Sequence, residues 1–118
     1  MKNKIKIMAF YRQPSNPTDL NGLLFIDIFE NILSKNSNAL IFGDFNFNLL
    51  NRVDNIFKYE NSFALNGFSL LNSLSECFAT RKNPTSNSVS IIDHGLTDLN
   101  LYHQHITFSL SLFHRFMV

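Results

Sequence analysis

Three short polar groups in this 118-residue chain carry side chains that hydrolytic chemistry uses: Tyr11-Arg12, Gly43-Asp44-Phe45-Asn46 and Asp93-His94. A carboxylate such as Asp44 or Asp93 can take a proton, orient an imidazole or hold a cation. The amide of Asn46 can donate to an anionic oxygen, and so can the Tyr11 phenol. Each group stands at the end of an apolar run that reads as a strand, where a rigid sheet would hold it. Each also has a plainer reading. Gly, Asp and Asn are common turn formers, so Gly43–Asn46 also fits an ordinary turn. Asp93-His94 also fits a strand-end cap, and Tyr11 a core aromatic with a wet hydroxyl. His103 and His105 form an H-x-H with no identifiable third ligand, which reads as surface loop.

The elements that must position these groups follow from periodicity. Lys4–Tyr11 alternates Lys with Ile before turning apolar, which predicts a strand. Arg12–Pro17 holds two prolines and reads as loop. Thr18 is the expected N-cap of an amphipathic helix running to about Lys35, with Leu20, Leu23, Leu24, Ile28, Ile32 and Leu33 at helical spacing. Ala39–Phe42 is a short apolar run suited to a buried strand. Asn55–Asn66 predicts a second helix, closed by Gly67 in the left-handed conformation. Phe68–Leu74 fits a short helix or a strand. Cys77–Arg81, Val89–Asp93 and Ile106–Leu112 read as strands, and Lys82–Asn87 as a Ser/Asn/Pro loop. Mixed strands and helices without strict alternation imply an α+β fold. The phenylalanines follow these periodicities, so they are expected in the core and not on a base-stacking surface.

Composition narrows the classes of function. The chain is 45% hydrophobic, 16% charged and carries a net charge of +1, which suits one folded domain over residues 1–118. That balance excludes a strongly basic surface that would by itself mark a nucleic-acid binder. One cysteine excludes an internal disulfide framework and suits a reducing compartment. No run is long enough for a membrane span, and Met1–Phe10 lacks a secretory apolar core, so an intracellular location is expected.

In order and combination, several stretches resemble the endonuclease/exonuclease/phosphatase superfamily, most closely the endonuclease domains of non-LTR retrotransposons. They are Tyr11-Arg12-Gln13-Pro14-Ser15, Leu40–Asn46 with its G-D-F-N, and Asn66-Gly67-Phe68 with Leu70-Leu71-Asn72. Ala79-Thr80-Arg81 and Ser90-Ile91-Ile92-Asp93-His94, separated by a Ser-rich loop, are the more specific pair. The resemblance spans nearly the whole chain but only the C-terminal half of the family domain. It implies the C-terminal half of a four-layer α/β sandwich, a mixed sheet with flanking helices.

The resemblance also implies an activity: phosphodiester hydrolysis in DNA by water, assisted by Mg²⁺. By position, Asp44 resembles the residue that activates or orients the water. Asn46 and Tyr11 resemble the residues that hold the scissile phosphate, and Thr80 and Arg81 lie where the family lines its substrate groove. Asp93 resembles the carboxylate that orients a terminal His, for which His114 is the candidate. Two features depart from the pattern. The family's metal-binding Glu and an upstream Asn have no counterpart, which implies a missing N-terminal half-domain or a reverse transcriptase region as partner. Ser109-Leu110-Ser111-Leu112-Phe113-His114-Arg115-Phe116 resembles S-L-S-D-H-R-F with Leu-Phe in place of Asp. A one-residue shift turns a strand side chain to the opposite face. The expectation is therefore a hydrolase ancestry with activity lost in this chain. The alternative is a non-catalytic remnant that serves as a binding or interaction module.

Overall fold

The alternating stretch Lys6–Tyr11 and the apolar run Ala39–Asp44 become parallel neighbours, β1 and β2, in register from Lys6↔Ala39 to Tyr11↔Asp44. Parallel strands need a crossover, and α1 (Leu23–Ser34) supplies it. Next come α2 (Asp54–Ala64), β3 (Ser69–Leu70), β4 (Arg81–Lys82), β5 (Val89–Ser90) and β6 (Asp93–Thr97). The main sheet has the order β1-β2-β6-β3, with β6 antiparallel to both neighbours, while β4 and β5 form a separate pair. The computed structural model describes residues 4–14, 16–75 and 78–99. The architecture is mixed α+β, as the sequence implies.

Both helices lie on one face of the sheet. Ile26, Phe29 and Leu33 of α1, and Ile56, Tyr59 and Phe63 of α2, join Ala39, Ile41, Phe45 and Leu96 in one buried cluster. Phe10, Phe29 and Phe45 pack ring on ring at 5.3 to 5.9 Å. Aromatic pairs at such separations add to the area they bury. Phe29 and Phe45 are buried and Phe10 packs against them, whereas Phe57 and Phe78 are exposed, against the expectation of core phenylalanines. No helix among the described residues is long and apolar enough to cross a membrane.

Several boundaries differ from expectation, each for a local reason. The first helix begins at Leu23, not after Thr18, because Gly22 adopts the left-handed conformation at φ 72°. Thr18 bonds Asn16 instead, and the Asp19 carboxylate takes the orphan N–H groups of Leu24 and Phe25. The second helix does close at Gly67, where Gly67 N–H meets the Ala64 carbonyl and Phe68 N–H the Phe63 carbonyl. Only Arg81 and Lys82 are strand in the Cys77–Arg81 region, and Cys77 lies outside the described residues.

The expected single strand Val89–Asp93 is in fact two pieces in two sheets. Side chains take the N–H groups in between: Asn48 accepts from Ile91, and Thr80 accepts from Ile92 and Asp93. Asp93 therefore opens a strand where the sequence suggested it would close one. That strand, β6, sits second from the sheet's far edge and was not anticipated. The expected strand Ile106–Leu112 and the candidates His103, His105 and His114 lie outside the described residues.

Candidate functional site

The register carries the geometry of the site. Tyr11 pairs with Asp44 across β1 and β2, and Asp44 pairs with Asp93 across β2 and β6. Directly opposed residues in a sheet point to the same side, with Cβ atoms about 4.5–5.5 Å apart in an antiparallel pair. A phenol and two carboxylates thus form one row across three strands. The row lies on the face away from the helices, because alternate residues Ile41 and Phe45 are the buried ones. Had Asp44 and Asp93 stood on opposite faces, no shared site could exist.

The electrostatics agree with that proximity. Burial first, and then the charge of Asp93, raise the Asp44 carboxyl above its ordinary value. The Asn46 N–H, Arg81 and Arg12 pull in the other direction. Two carboxylates sharing a small region is the arrangement in which one holds its proton longer. Arg81, on the β4–β5 pair, and Arg12 supply the positive charge that offsets the raised Asp44 carboxyl.

A clasp between β1 and the loop after β2 fixes Asp44 and Asn46. Arg12 N–H donates to the Asp44 carbonyl at 2.8 Å. The Arg12 guanidinium donates to the Phe45 carbonyl at 2.7 Å and the Asn46 carbonyl at 2.8 Å, and lies 4.0 Å above the Phe47 ring. In return the Asn46 side-chain amide donates to the Arg12 carbonyl. Asn46 itself sits at φ 51°, and its N–H donates to an Asp44 carboxylate oxygen at 3.2 Å. So Gly43 and Asp44 end β2, and the side-chain-closed bend from Asp44 to Asn46 that follows holds Asp44 in the row. The two readings of this motif are not exclusive.

Thr80 supports Asp93 from behind. Its hydroxyl accepts from Ile92 N–H at 2.8 Å and Asp93 N–H at 3.2 Å, while its own N–H donates to Ser90 at 2.9 Å. The Ala79-Thr80-Arg81 stretch and the Asp93 stretch are therefore physically joined. Asn72, which the sequence reading assigned no role, grips the other side of β6. Its amide donates to the Asp93 carbonyl and its carbonyl accepts from Gly95 N–H, both at 2.9 Å. Asn72 adjoins the end of β3, so its amide continues the ladder past the last strand residue. Thr80→Val should lower stability by about 1–2 kcal/mol, since two N–H groups lose their acceptor. Urea unfolding checks this, and an unchanged midpoint would contradict the support role.

His94 belongs elsewhere. It faces the helices at 1% exposure, stacked on Phe45 at 5.3 Å. Its Nδ1 meets the Tyr59 hydroxyl at 2.8 Å, and its Nε2 meets the Ile91 carbonyl at 2.9 Å. Among the described residues no group of three His, Cys, Asp or Glu side chains could hold a metal ion. Asp44 and Asp93 offer two corners of a cation site, with Arg81 competing for the same charge. Protein families, curated proteins and solved structures were compared with the chain, and none matched.

Proposed function

We propose that the chain is half of an endonuclease/exonuclease/phosphatase-type domain whose residual phosphate site does not hydrolyse phosphodiesters on its own. The observation that supports this reading is the in-register row of Tyr11, Asp44 and Asp93 on one sheet face. In that reading the sheet and its two helices are two layers of the four-layer sandwich. Tyr11 and Arg81 would face a phosphate group of DNA, and the Asp44–Asp93 pair would hold or pass protons beside it. The second reading, a non-catalytic binding module, draws on Asn46. Its amide is tied to the Arg12 carbonyl, so part of its donor capacity serves the turn.

The two carboxylates lack a third ligand among the described residues. Losing a single donor to a developing oxyanion already costs on the order of 10²–10³ in rate. The chain should therefore nick supercoiled plasmid no faster than buffer, with Mg²⁺ or with rising Mn²⁺. Asp44→Ala should leave that background unchanged. Nicking that Asp44→Ala abolishes would show a working enzyme and overturn the proposal.

A further inference from the structure

The sheet has an open edge along β1. There the Lys6 and Arg12 N–H groups donate to the Asn38 and Asp44 carbonyls, both at 2.8 Å. Successive residues of a strand turn their backbone groups to opposite sides. Lys6, Met8, Phe10 and Arg12 therefore face β2, while Ile5, Ile7, Ala9 and Tyr11 face outward. Among the described residues no strand pairs with that outer side. An unpaired edge is a template for another strand. We propose that two copies of the chain associate through this edge, β1 antiparallel to the partner's β1 and α1 beside the partner's α1. The proposal goes beyond the phosphate-site reading and does not depend on it.

Register and charge favour a second copy as the occupant. With a twofold axis at Ile7, that residue meets the partner's Ile7, and Ile5 meets the partner's Ala9, all through outward backbone groups. On the helix side Lys6 meets the partner's Met8 and Lys4 the partner's Phe10, so no like charges are opposed. A lysine on an edge strand commonly blocks such pairing. Here the Lys6 ammonium reaches back to the Asn36 side chain at 3.3 Å and leaves the edge open. Ile7, 75% exposed in the single chain, would be drawn out of water at the axis.

The helix layer adds a second line of contact. Phe29 of α1 lies 5.3 Å from Phe10 of β1 and 5.3 Å from Phe45, just past β2. Tyr59 of α2 meets His94 of β6 instead. So α1 is the outer helix, above the gap between β1 and β2. With strands about 4.8 Å apart, pairing of the two edges sets the two α1 axes about 10 Å apart, a distance at which helices pack. Leu23, Ile26, Asp27 and Glu30 of α1 line its groove with α2. The opposite flank carries Phe25, Ile28 and Ile32 at helical spacing, and Ile28 is 53% exposed. The whole contact spans the strand's length and two layers, roughly 20 by 20 Å, or half the 800 Å² per side of a standard interface. An area of that size holds a weak, reversible dimer.

Sedimentation velocity over a range of loading concentrations should show reversible dimerisation centred on the order of 100 μM. Ile7→Pro deletes an outward N–H and spares the bonds from β1 to β2, which is where an edge strand tolerates proline. That variant should stay monomeric up to about 1 mM with unchanged far-ultraviolet circular dichroism. Ile28→Asp, at an exposed helix position, should weaken the dimer by about tenfold or more without touching the strands, because it buries a charge at the contact. Leu65→Asp, 79% exposed just past α2, should leave the dimer unaltered. A wild-type chain still monomeric at about 1 mM would overturn the proposal. So would a dimer that survives either Ile7→Pro or Ile28→Asp in a folded chain, or one that Leu65→Asp weakens equally. Slow hydrogen exchange at the Ile7 amide in the dilute monomer would also overturn it, since another part of the same chain would then hold the edge.

Discussion

Between pH 6.5 and pH 4 the folded chain should lose about 3 kcal/mol of stability, through His94. Burial holds the imidazole neutral and lowers its pKa to about 4, although the Ile91 and Phe47 backbone groups pull upward. In the unfolded chain the same ring titrates near its ordinary value of about 6.5. Between those values the unfolded state binds a proton that the folded state refuses. Stability is therefore full above the unfolded value and falls as the pH drops toward the folded one. The shift of roughly 2.5 pK units, at about 1.4 kcal/mol each, sets the size of the loss. That is a large share of the 5–15 kcal/mol typical of a whole domain.

The tautomer follows from the partners. A carbonyl such as Ile91's can only accept, so Nε2 carries the hydrogen and Nδ1 accepts from the Tyr59 hydroxyl. Protonation would take away the acceptor that Tyr59 uses. Asp44 works in the opposite sense, because its raised pKa makes the folded state take up a proton first as the pH falls. It offsets part of the loss at the acid end. His94→Gln keeps an acceptor and a donor but does not titrate, so it should flatten the slope. Urea midpoints at a series of pH values read this directly. An unaltered slope in the variant would place the titration on another group.

Gly43→Ala should be strongly destabilising. A Cβ there would meet the Phe10 carbonyl oxygen at 2.2 Å and the Phe10 carbonyl carbon at 2.9 Å. Both are backbone atoms of β1, with no flexible side chain to give way. The strands would have to separate or shift, breaking the Phe10↔Gly43 register and the Arg12 clasp beside it. Overpacking against backbone sits at the top of its range, about 3 kcal/mol or more. The thermal midpoint should fall by roughly 10 °C or more. Gly67→Ala is the useful contrast: it has open space within 4 Å but a φ of +81°. It should cost only about 1 kcal/mol. Similar melting of Gly43→Ala and wild type would mean that β1 and β2 are less closely paired than described.

Gly43 shows how structure and candidate function interlock. The glycine lets β1 and β2 approach, that approach sets Tyr11 beside Asp44, and Asp44 then meets Asp93. In the sequence, β1, β2 and both helices were legible from a period or an apolar run, but α1 buries Ile26, Phe29 and Leu33 and leaves Leu23, Leu24 and Ile28 of the expected stripe exposed. β6 was hidden, since Asp93-His94-Gly95-Leu96-Thr97 mixes polar residues with a glycine and shows no alternation. All but one of its residues are buried, and the exception, Asp93, is half-buried, so burial gave it no two-sided pattern to display. Asn72 and Thr80 were equally hard to read as supports. Their roles depend on backbone groups far along the chain, which local spacing does not encode. Asp44 and Asp93 were legible as candidates by order and residue type, while their opposition across one ladder is a tertiary fact.

Carboxyl-carbon NMR of the aspartates during a Mn²⁺ titration tests the phosphate-site proposal most directly. The account predicts that Asp44 and Asp93 broaden together, ahead of Asp19 and Asp98, and only at millimolar metal. Asp93→Asn should remove most of the effect at Asp44. Broadening complete at micromolar metal would mean a finished metal centre and contradict the proposed loss of activity. Equal broadening of all aspartates would contradict the account from the other side, because the row would then not be a cation-facing site at all.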